Sequence, residues 1–360
     1  MRKWRGNKRL LLTLGLMVLM TLGIAVGGTW AAFNDPETST NNPLRIINNW
    51  YDLAWGWRKP VNISNGGGAL TNYQMKLTVD TQTLVGAGKM LSSGNDIRFT
   101  SSDGTTSINY WIESGMNTIS TVIWVEVPSI PAGSSTIYLY YGNASASAAS
   151  SGTNTFIFFD DFESGVGNWT AVNAGAGRSF TQSSAQKTQG TYSMYIDDGS
   201  TGSTYGVYAT YTTQTGTFVV DYDIRPEQNT MRWRTYLANG VNIGPDLRFS
   251  NTADGSDVEY NNNGTWTNLP TATSYSANTW YSFTLDDIRT QGSPNDTYDI
   301  YIGGVQKAND VRWSANRIQL TRIYFISQTA AETPKVYVDL VKVRAYASPQ
   351  PTVSSIGAEE

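Results

Sequence analysis

The sequence predicts an all-β chain: a small β-sandwich, then a jelly-roll β-sandwich, behind an N-terminal signal or transmembrane helix. Three observations predict it. Aromatic residues make up 12% of the 360 residues and charged residues only 15%, against about 25% charged in an average soluble protein. Short runs alternate apolar and polar side chains, the pattern of half-buried strands. Clusters of Gly, Asn, Ser and Pro separate those runs, as turns require. No stretch reads as a long helix, and Gln82 to Leu91 offers one helical turn.

The N-terminus reads as an export signal. Arg2, Lys3, Arg5, Lys8 and Arg9 precede Leu10 to Val26, which is apolar apart from two Thr, and Gly27, Gly28, Ala31 and Ala32 follow. A basic start, an apolar middle and a small-residue exit make a secretory signal. The apolar run also meets the lower limit for a membrane span, so residues 1–32 are a signal peptide or a membrane anchor. Without them the chain keeps 20 basic residues against 29 acidic ones, a net charge of −9. Such a chain has no electrostatic means of binding nucleic acid, whose affinity comes from neutralised phosphates. The run Gly27-Gly28-Thr29-Trp30-Ala31-Ala32-Phe33-Asn34-Asp35 resembles the signal-peptide exit of camelysin-like and biofilm-fibre proteins, which implies cleavage near the Ala pair.

Residues 33–49 are polar and Asn-rich and read as a spacer. A first domain follows at 50–143. Val61 and Ile63 alternate with Asn62 and Ser64, and Met75, Leu77 and Val79 with Lys76 and Thr78. Ile123, Val125 and Val127 interleave with Val122, Trp124 and Glu126. Ile137, Leu139 and Tyr141 interleave with Tyr138 and Tyr140. The ordered motifs Trp57-Arg58-Lys59-Pro60-Val61-Asn62-Ile63, Asp96-Ile97-Arg98-Phe99-Thr100, Tyr110-Trp111-Ile112-Glu113, Ile123-Trp124-Val125-Glu126-Val127-Pro128 and Tyr140-Tyr141-Gly142-Asn143 resemble the domain of unknown function 2341 family of archaeal and bacterial surface proteins. That resemblance implies a surface setting and no particular chemistry.

Residues 144–154 form a linker of small residues without a hydrophobic anchor, so the two domains are expected to fold separately. The second domain spans 155–346. Its strand signals include Thr217 to Ile224, Met231 to Leu237, Leu247 to Ser250, Val258 to Asn261, Trp280 to Leu285, Tyr298 to Ile302, Arg317 to Ile326 and Val336 to Val343. That number and spacing suit a jelly roll. Phe159-Asp160-Asp161-Phe162-Glu163-Ser164-Gly165 with Trp169, Gly190-Thr191-Tyr192-Ser193-Met194, Asn278-Thr279-Trp280-Tyr281, Tyr298 to Gly304 and Val336-Tyr337-Val338-Asp339 resemble concanavalin-like and laminin-G-like jelly rolls. Such domains bind carbohydrates or proteins, and a minority are glycosidases. Residues 347–360 read as a polar, mobile tail.

Two absences close most catalytic routes. With no Cys and no His, the chain has no disulfide, thiol nucleophile, Ser–His–Asp triad or His-ligated metal. Any metal would be held by oxygen, which favours calcium. The jelly-roll resemblance implies a structural calcium between an early Glu and a late Asp. Glu163 and Asp339 match those positions, with Asp161 assisting. The alternative is a set of solvated acids at strand ends.

Sugars are held by flat aromatic faces and by polar groups that bond hydroxyls. Alternation puts Met231, Trp233, Thr235 and Leu237 on one face of a strand and Arg232, Arg234 and Tyr236 on the other. The next strand turns Leu247 and Phe249 inward and Arg248 outward. Those arginines with Tyr236 suit an acidic glycan, because guanidinium forks bind carboxylates. The alternative is a wet outer face with ion pairs to Asp257 and Glu259. Trp266, in a turn-rich stretch, is either a ligand platform or a packed ring. Asp221 with Asp223, and Asp257 with Glu259, each share a strand face, but no tight three-acid cluster of a glycosidase occurs.

The sequence therefore predicts a secreted or cell-surface protein without enzymatic activity. Its jelly roll would bind a glycan or a surface protein in adhesion or recognition. A subunit of a surface layer or filament is the alternative through self-association, and a polysaccharide hydrolase is the less favoured one. Membrane contact would run only through an uncleaved N-terminal segment.

Overall fold

The computed structural model describes residues 50–360 apart from 231, 241, 253–254, 271–273, 291, 293–295 and 314–318; the side chains of 251–256 are also outside the described set. The export segment 1–32, the spacer 33–49, Met231 and the start of the strand expected at Arg317 lie outside the described residues. Among the described residues, no helix is long and apolar enough to cross a membrane.

The chain is all-β, as the alternation predicts. Strands build two sandwiches. In the first unit a five-stranded sheet runs in the order Thr352–Ile356, Trp57–Asn65, Gly133–Tyr141, Arg98–Thr100, Ser107–Ile108. A three-stranded sheet of Leu70–Val79, Thr121–Ile130 and Tyr110–Ser114 faces it. The inward set follows the alternation: Val61, Ile63, Met75, Leu77, Val79, Ile123, Val125, Ile137 and Leu139 share one buried core. The helical turn expected within Gln82 to Leu91 is Thr81–Gly86, where the Asp80 carboxylate accepts from the Thr83 N–H at 2.9 Å. That bond satisfies one of the donors a helix start leaves free.

The second unit is the jelly-roll sandwich. One sheet runs Arg178–Ser183, Ser193–Asp198, Lys335–Ala345, Thr217–Pro226, Tyr281–Arg289, Thr297–Ile302, Val305–Arg312, with Phe158–Asp160 also pairing with Lys335–Ala345. The other runs Thr265–Asn268, Gly255–Asn262, Ile243–Thr252, Trp233–Ala238, Leu320–Ser327, Gly206–Gln214, Trp169–Val172. Trp233, Phe249, Tyr222, Phe283 and Phe325 fill the space between them.

Two segments that read as loose are tied into the fold. The tail, expected to be mobile, instead supplies a strand: Thr352–Ile356 pairs antiparallel with Trp57–Asn65 and becomes an edge strand of the first sheet. Val353 and Ile356 pack on the first core. Beyond the strand, Glu360 pairs with Arg58 at 2.7 Å, and Glu359 pairs with Lys89 and accepts from the Tyr141 hydroxyl. Polar composition hid this, because an edge strand needs apolar residues on one side only. The linker is also anchored. Arg98 donates to the Ser147 carbonyl at 2.8 Å, the Ile112 N–H to the Ser150 hydroxyl at 2.9 Å, and the Ser151 N–H to the Tyr110 carbonyl at 2.9 Å.

The units meet through the outer faces of the three-stranded sheet and the Lys335–Ala345 sheet. Trp111 and Trp124 of the first pack with Phe156, Phe159 and Leu340 of the second. The Trp111 and Phe159 ring centroids lie 4.6 Å apart, edge to face. Beside this joint Lys342 pairs with Glu113 at 2.8 Å, and the Ala345 N–H donates to the Gln74 side chain at 2.8 Å. Burial works against the Glu113 charge, yet Lys342 and Lys76 hold its carboxyl below the ordinary range.

Two outcomes follow from this closure. Deleting residues 347–360 should lower the denaturant midpoint, because half-burying Val353 and Ile356 contributes about 1 kcal/mol each; an unchanged midpoint would show that the strand adds nothing. Glu113→Gln should destabilise the chain by about 3–5 kcal/mol at pH 7, because it strands the buried Lys342 ammonium. The sign with pH is fixed by the lowered pKa. The contribution is present above the unfolded value of about 4.3 and is lost as pH falls through the folded one. Urea titrations of wild type and Glu113→Gln should therefore converge in acid.

Candidate functional site

The strand Trp233–Ala238 lies in the middle of its sheet and sorts its side chains as alternation requires. Trp233 and Leu237 are buried in the sandwich. Arg234 and Tyr236 point to the outer face. Across the ladder, Arg234 opposes Arg248 and Tyr236 opposes both Asp246 and Tyr324. With Tyr208, Glu259 and Trp266 on the strands beyond, the outer face is assembled from six neighbouring strands.

A continuous row of rings and guanidinium groups crosses it. Tyr236 stacks on Tyr324 with centroids 4.5 Å apart and planes 10° apart, and Tyr208 follows at 5.1 Å. Arg322 caps that end, 4.7 Å over Tyr208, and donates to the Tyr324 hydroxyl at 3.2 Å. At the other end Arg234 lies 4.8 Å over Tyr236. Trp266 closes the row, with Arg248 4.0 Å and Arg234 5.6 Å from its ring. Cation–π contacts of this kind fix both the rings and the cations. Burial pushes the Tyr236 phenol up to about 12, so it stays a hydrogen donor at neutral pH.

Two carboxylates lie beneath the arginines. Arg234 grips Asp246 in a two-bond fork, 2.7 Å through Nε and 2.6 Å through Nη2. Arg248 Nε pairs with Glu259. Asp246 is only 2% exposed. Burial pushes its carboxyl up, and Arg234 opposes the shift. Among the described residues, Nη1 of Arg234 and both Nη atoms of Arg248 make no hydrogen bond. These donors sit beside the half-buried Trp266.

The structure thus joins Arg234, Tyr236, Arg248 and Trp266, and sets Arg232 apart. Arg232 precedes the strand, and its backbone and side chain engage Glu332. Trp266 stands on the short edge strand Thr265–Asn268. The acidic-glycan expectation loses its basis, because Asp246 and Glu259 already neutralise Arg234 and Arg248. Of the acids expected to pair, Glu259 does so, while Asp257 accepts from Asn268 at 3.2 Å. Tyr208, Tyr324, Arg322 and Asp246 were missed. Alternation carried the signal, since Tyr208 lies between Val207 and Ala209, and Arg322 and Tyr324 flank Ile323.

The three acids matched to a calcium site each accept hydrogen bonds from the chain. Glu163 Oε1 accepts from the Thr191 and Tyr192 N–H groups, both at 2.7 Å. Asp339 Oδ2 accepts from the Thr188 N–H and hydroxyl at 2.8 and 3.0 Å. Asp161 accepts from the Glu163 N–H at 3.3 Å. These oxygens face N–H and O–H donors, and among the described residues no group of three acids is disposed to hold a metal ion. Glu163 and Asp339 instead hold one loop from two sides. Gly190 in that loop has φ of 65°, and a Cβ there would meet Glu163 Oε1 at 2.4 Å.

Comparison with known proteins gives one family match. The model for a domain of unknown function (DUF2341) matches residues 93–172. That span holds four of the five side chains of the aromatic joint and crosses from the first unit into the second. No curated protein matches the chain. Among solved structures, a sialidase is 13% identical with a TM-score of 0.43, over 59% of this chain and 20% of that one. The chain therefore spans about a fifth of the sialidase's length. A cellulose induced protein is 16% identical with a TM-score of 0.41, over 52% of this chain and 96% of that one. A family 11 carbohydrate-binding module from Clostridium thermocellum is 18% identical with a TM-score of 0.30, over 52% and 94%.

Four substitutions test this geometry. Trp233→Ala should cost about 3–5 kcal/mol of stability, because a buried Trp leaves a cavity; an intact melting temperature would mean that the strand faces the other way. Arg234→Ala should also destabilise, since it leaves the buried Asp246 carboxylate without its partner; replacing Asp246 by Asn in the same chain should recover part of the loss. Burial pushes the Asp339 carboxyl up to about 7, against the Thr188, Gln189 and Leu340 donors. A carboxyl raised in the fold contributes stability in full below its unfolded pKa of about 3.9. That contribution is lost progressively as pH rises towards 7. Asp339→Asn should flatten this decline, read from melting temperatures between pH 4 and 8.

Proposed function

We propose that the outer face around Arg234, Tyr236, Arg248 and Trp266 binds a glycan, in a secreted or cell-surface protein that recognises its partner without transforming it. The observation that carries this reading is the set of guanidinium N–H donors that meet no acceptor among the described residues and are held beside a half-buried Trp. A sugar presents hydroxyl oxygens to such donors and its C–H face to the indole. The donors are preorganised, because Arg234 and Arg248 are each held by a carboxylate and a ring, so little side-chain entropy is lost on binding. Asp246 and Glu259 offset the arginine charges, which favours uncharged hydroxyl-rich chains over acidic ones. Adhesion and a surface setting belong to the same proposal.

A glycan array probed with the chain, followed by titration calorimetry, tests it. Trp266→Ala should lower affinity for a bound glycan by about tenfold or more, since stacking and its neighbouring hydrogen bonds are lost together. The fold should persist, because Trp266 lies at a sheet edge. Binding that is indifferent to Trp266→Ala, or confined to acidic glycans and lost in moderate salt, would overturn the reading. Sugar consumption during the titration would turn the case towards an enzyme.

A further inference from the structure

The outer faces of the three-stranded sheet and the Lys335–Ala345 sheet do not close on each other everywhere. They leave a cleft of about 450 Å³ between the two units, within the roughly 300–1,000 Å³ range of small-ligand sites. Trp124 and Leu340 of the aromatic joint line it, as do Gln350 and Pro351, which lead into the strand Thr352–Ile356. Both connections tie the units together, so the cleft is preformed.

Its walls are charged, but most of the charges are matched. Glu113 accepts from Lys342 at 2.8 Å and stands 3.3 Å from Lys76. Asp221 pairs with Arg344 at 2.7 Å and accepts from the Thr284 hydroxyl at 2.7 Å. Asp223 differs. It lies two residues along the same strand face and lines the same cleft, yet among the described residues no Lys or Arg nitrogen lies within 4 Å of it. Burial pushes its carboxyl up, against the Ser282 and Thr188 hydroxyls.

A charged ligand would upset the balance of Lys76, Lys342 and Arg344 against Glu113, Asp221 and Asp223, and an apolar ligand would leave polar walls unsatisfied. A neutral molecule rich in hydroxyls does neither. It donates to Asp223 and accepts from the Lys76 ammonium, which is 53% exposed. We infer that this cleft is a second binding site, taking a neutral saccharide unit whose hydroxyls donate to Asp223. It is separate from the outer face around Trp266, which lies on the other sheet of the sandwich.

The test is titration calorimetry of the whole chain with maltose, cellobiose and lactose as probes. At least one should bind to wild type. Asp223→Ala should weaken that binding about tenfold or more, the usual loss of a hydrogen bond to a charged group. Ser282→Trp should abolish it by filling the cleft from an exposed position, and this second variant covers the case in which Asp223→Ala fails to fold. Trp266→Ala should leave it unchanged. Three results would overturn the inference: no probe binding at millimolar concentration, binding indifferent to both cleft variants, or binding lost with Trp266→Ala. The last would assign the saccharide to the outer face alone. A failure of the outer face is read separately, from a glycan identified on the array whose binding is indifferent to Trp266→Ala.

Discussion

The strand Lys335–Ala345 changes phase once, at Asp339–Leu340. Val336 and Val338 point into the jelly-roll core, and after the change Val341 and Val343 do. Strict alternation from Val336 would instead have sent Leu340, Lys342 and Arg344 inward, because a one-residue slip exchanges the faces of a strand. Two cations in an apolar core would be far more costly than the local distortion. The distortion is visible: Leu340 has φ of 50°, a conformation that costs a non-glycine residue on the order of 1–3 kcal/mol. The ladder slips at the same place, with Asp221 opposite Lys342 but Asp223 opposite Asp339. That bulge gives Leu340 to the aromatic joint, and Lys342 and Arg344 to the face that meets the first unit.

The same economy governs charge elsewhere. The chain carries few charged residues, and most of those at the two candidate sites are arranged so that positive groups meet negative ones. On the outer face, Asp246 and Glu259 lie under Arg234 and Arg248. Between the units, Glu113 serves Lys342, and Asp221 serves Arg344. A carboxylate beneath an arginine fixes the guanidinium and leaves some of its donors outward, which suits hydrogen bonding to hydroxyls better than attraction of a distant anion. It also means that arginine substitutions at this face report on stability as well as on binding. Trp266 and Ser282 are the cleaner probes, because neither belongs to an ion pair.

Closure of the chain on itself links the units more firmly than their composition suggests. The polypeptide leaves the first unit at residue 143, forms the jelly roll, and returns to the first sheet at Thr352–Ile356. The joint of Trp111, Trp124, Phe156, Phe159 and Leu340 is small, but it is flanked by the Lys342–Glu113 pair and the Gln74–Ala345 bond. A cleft held between two such connections keeps its shape without a ligand, which lowers the entropic cost of binding one.

The sequence by itself determined the fold class, most strands and the inward set. Alternation is a local property: side chains at i and i+2 share a face whatever the rest of the chain does, so Val61, Met75, Ile123, Trp233 and Leu237 could be assigned to the core. The opposite faces of Arg234, Tyr236 and Arg248 followed from the same rule, and applied to Tyr208 and Tyr324 it would have found them too. What each outward group touches was not local. Asp246 under Arg234, Trp266 over Arg248, and the N–H donors around Glu163 and Asp339 depend on which strands become neighbours, and pairing is set by packing across the whole sandwich. The return of residues 352–356 was hidden for the same reason, since a short edge strand takes its hydrogen bonds and half of its burial from Trp57–Asn65, nearly three hundred residues away in the chain.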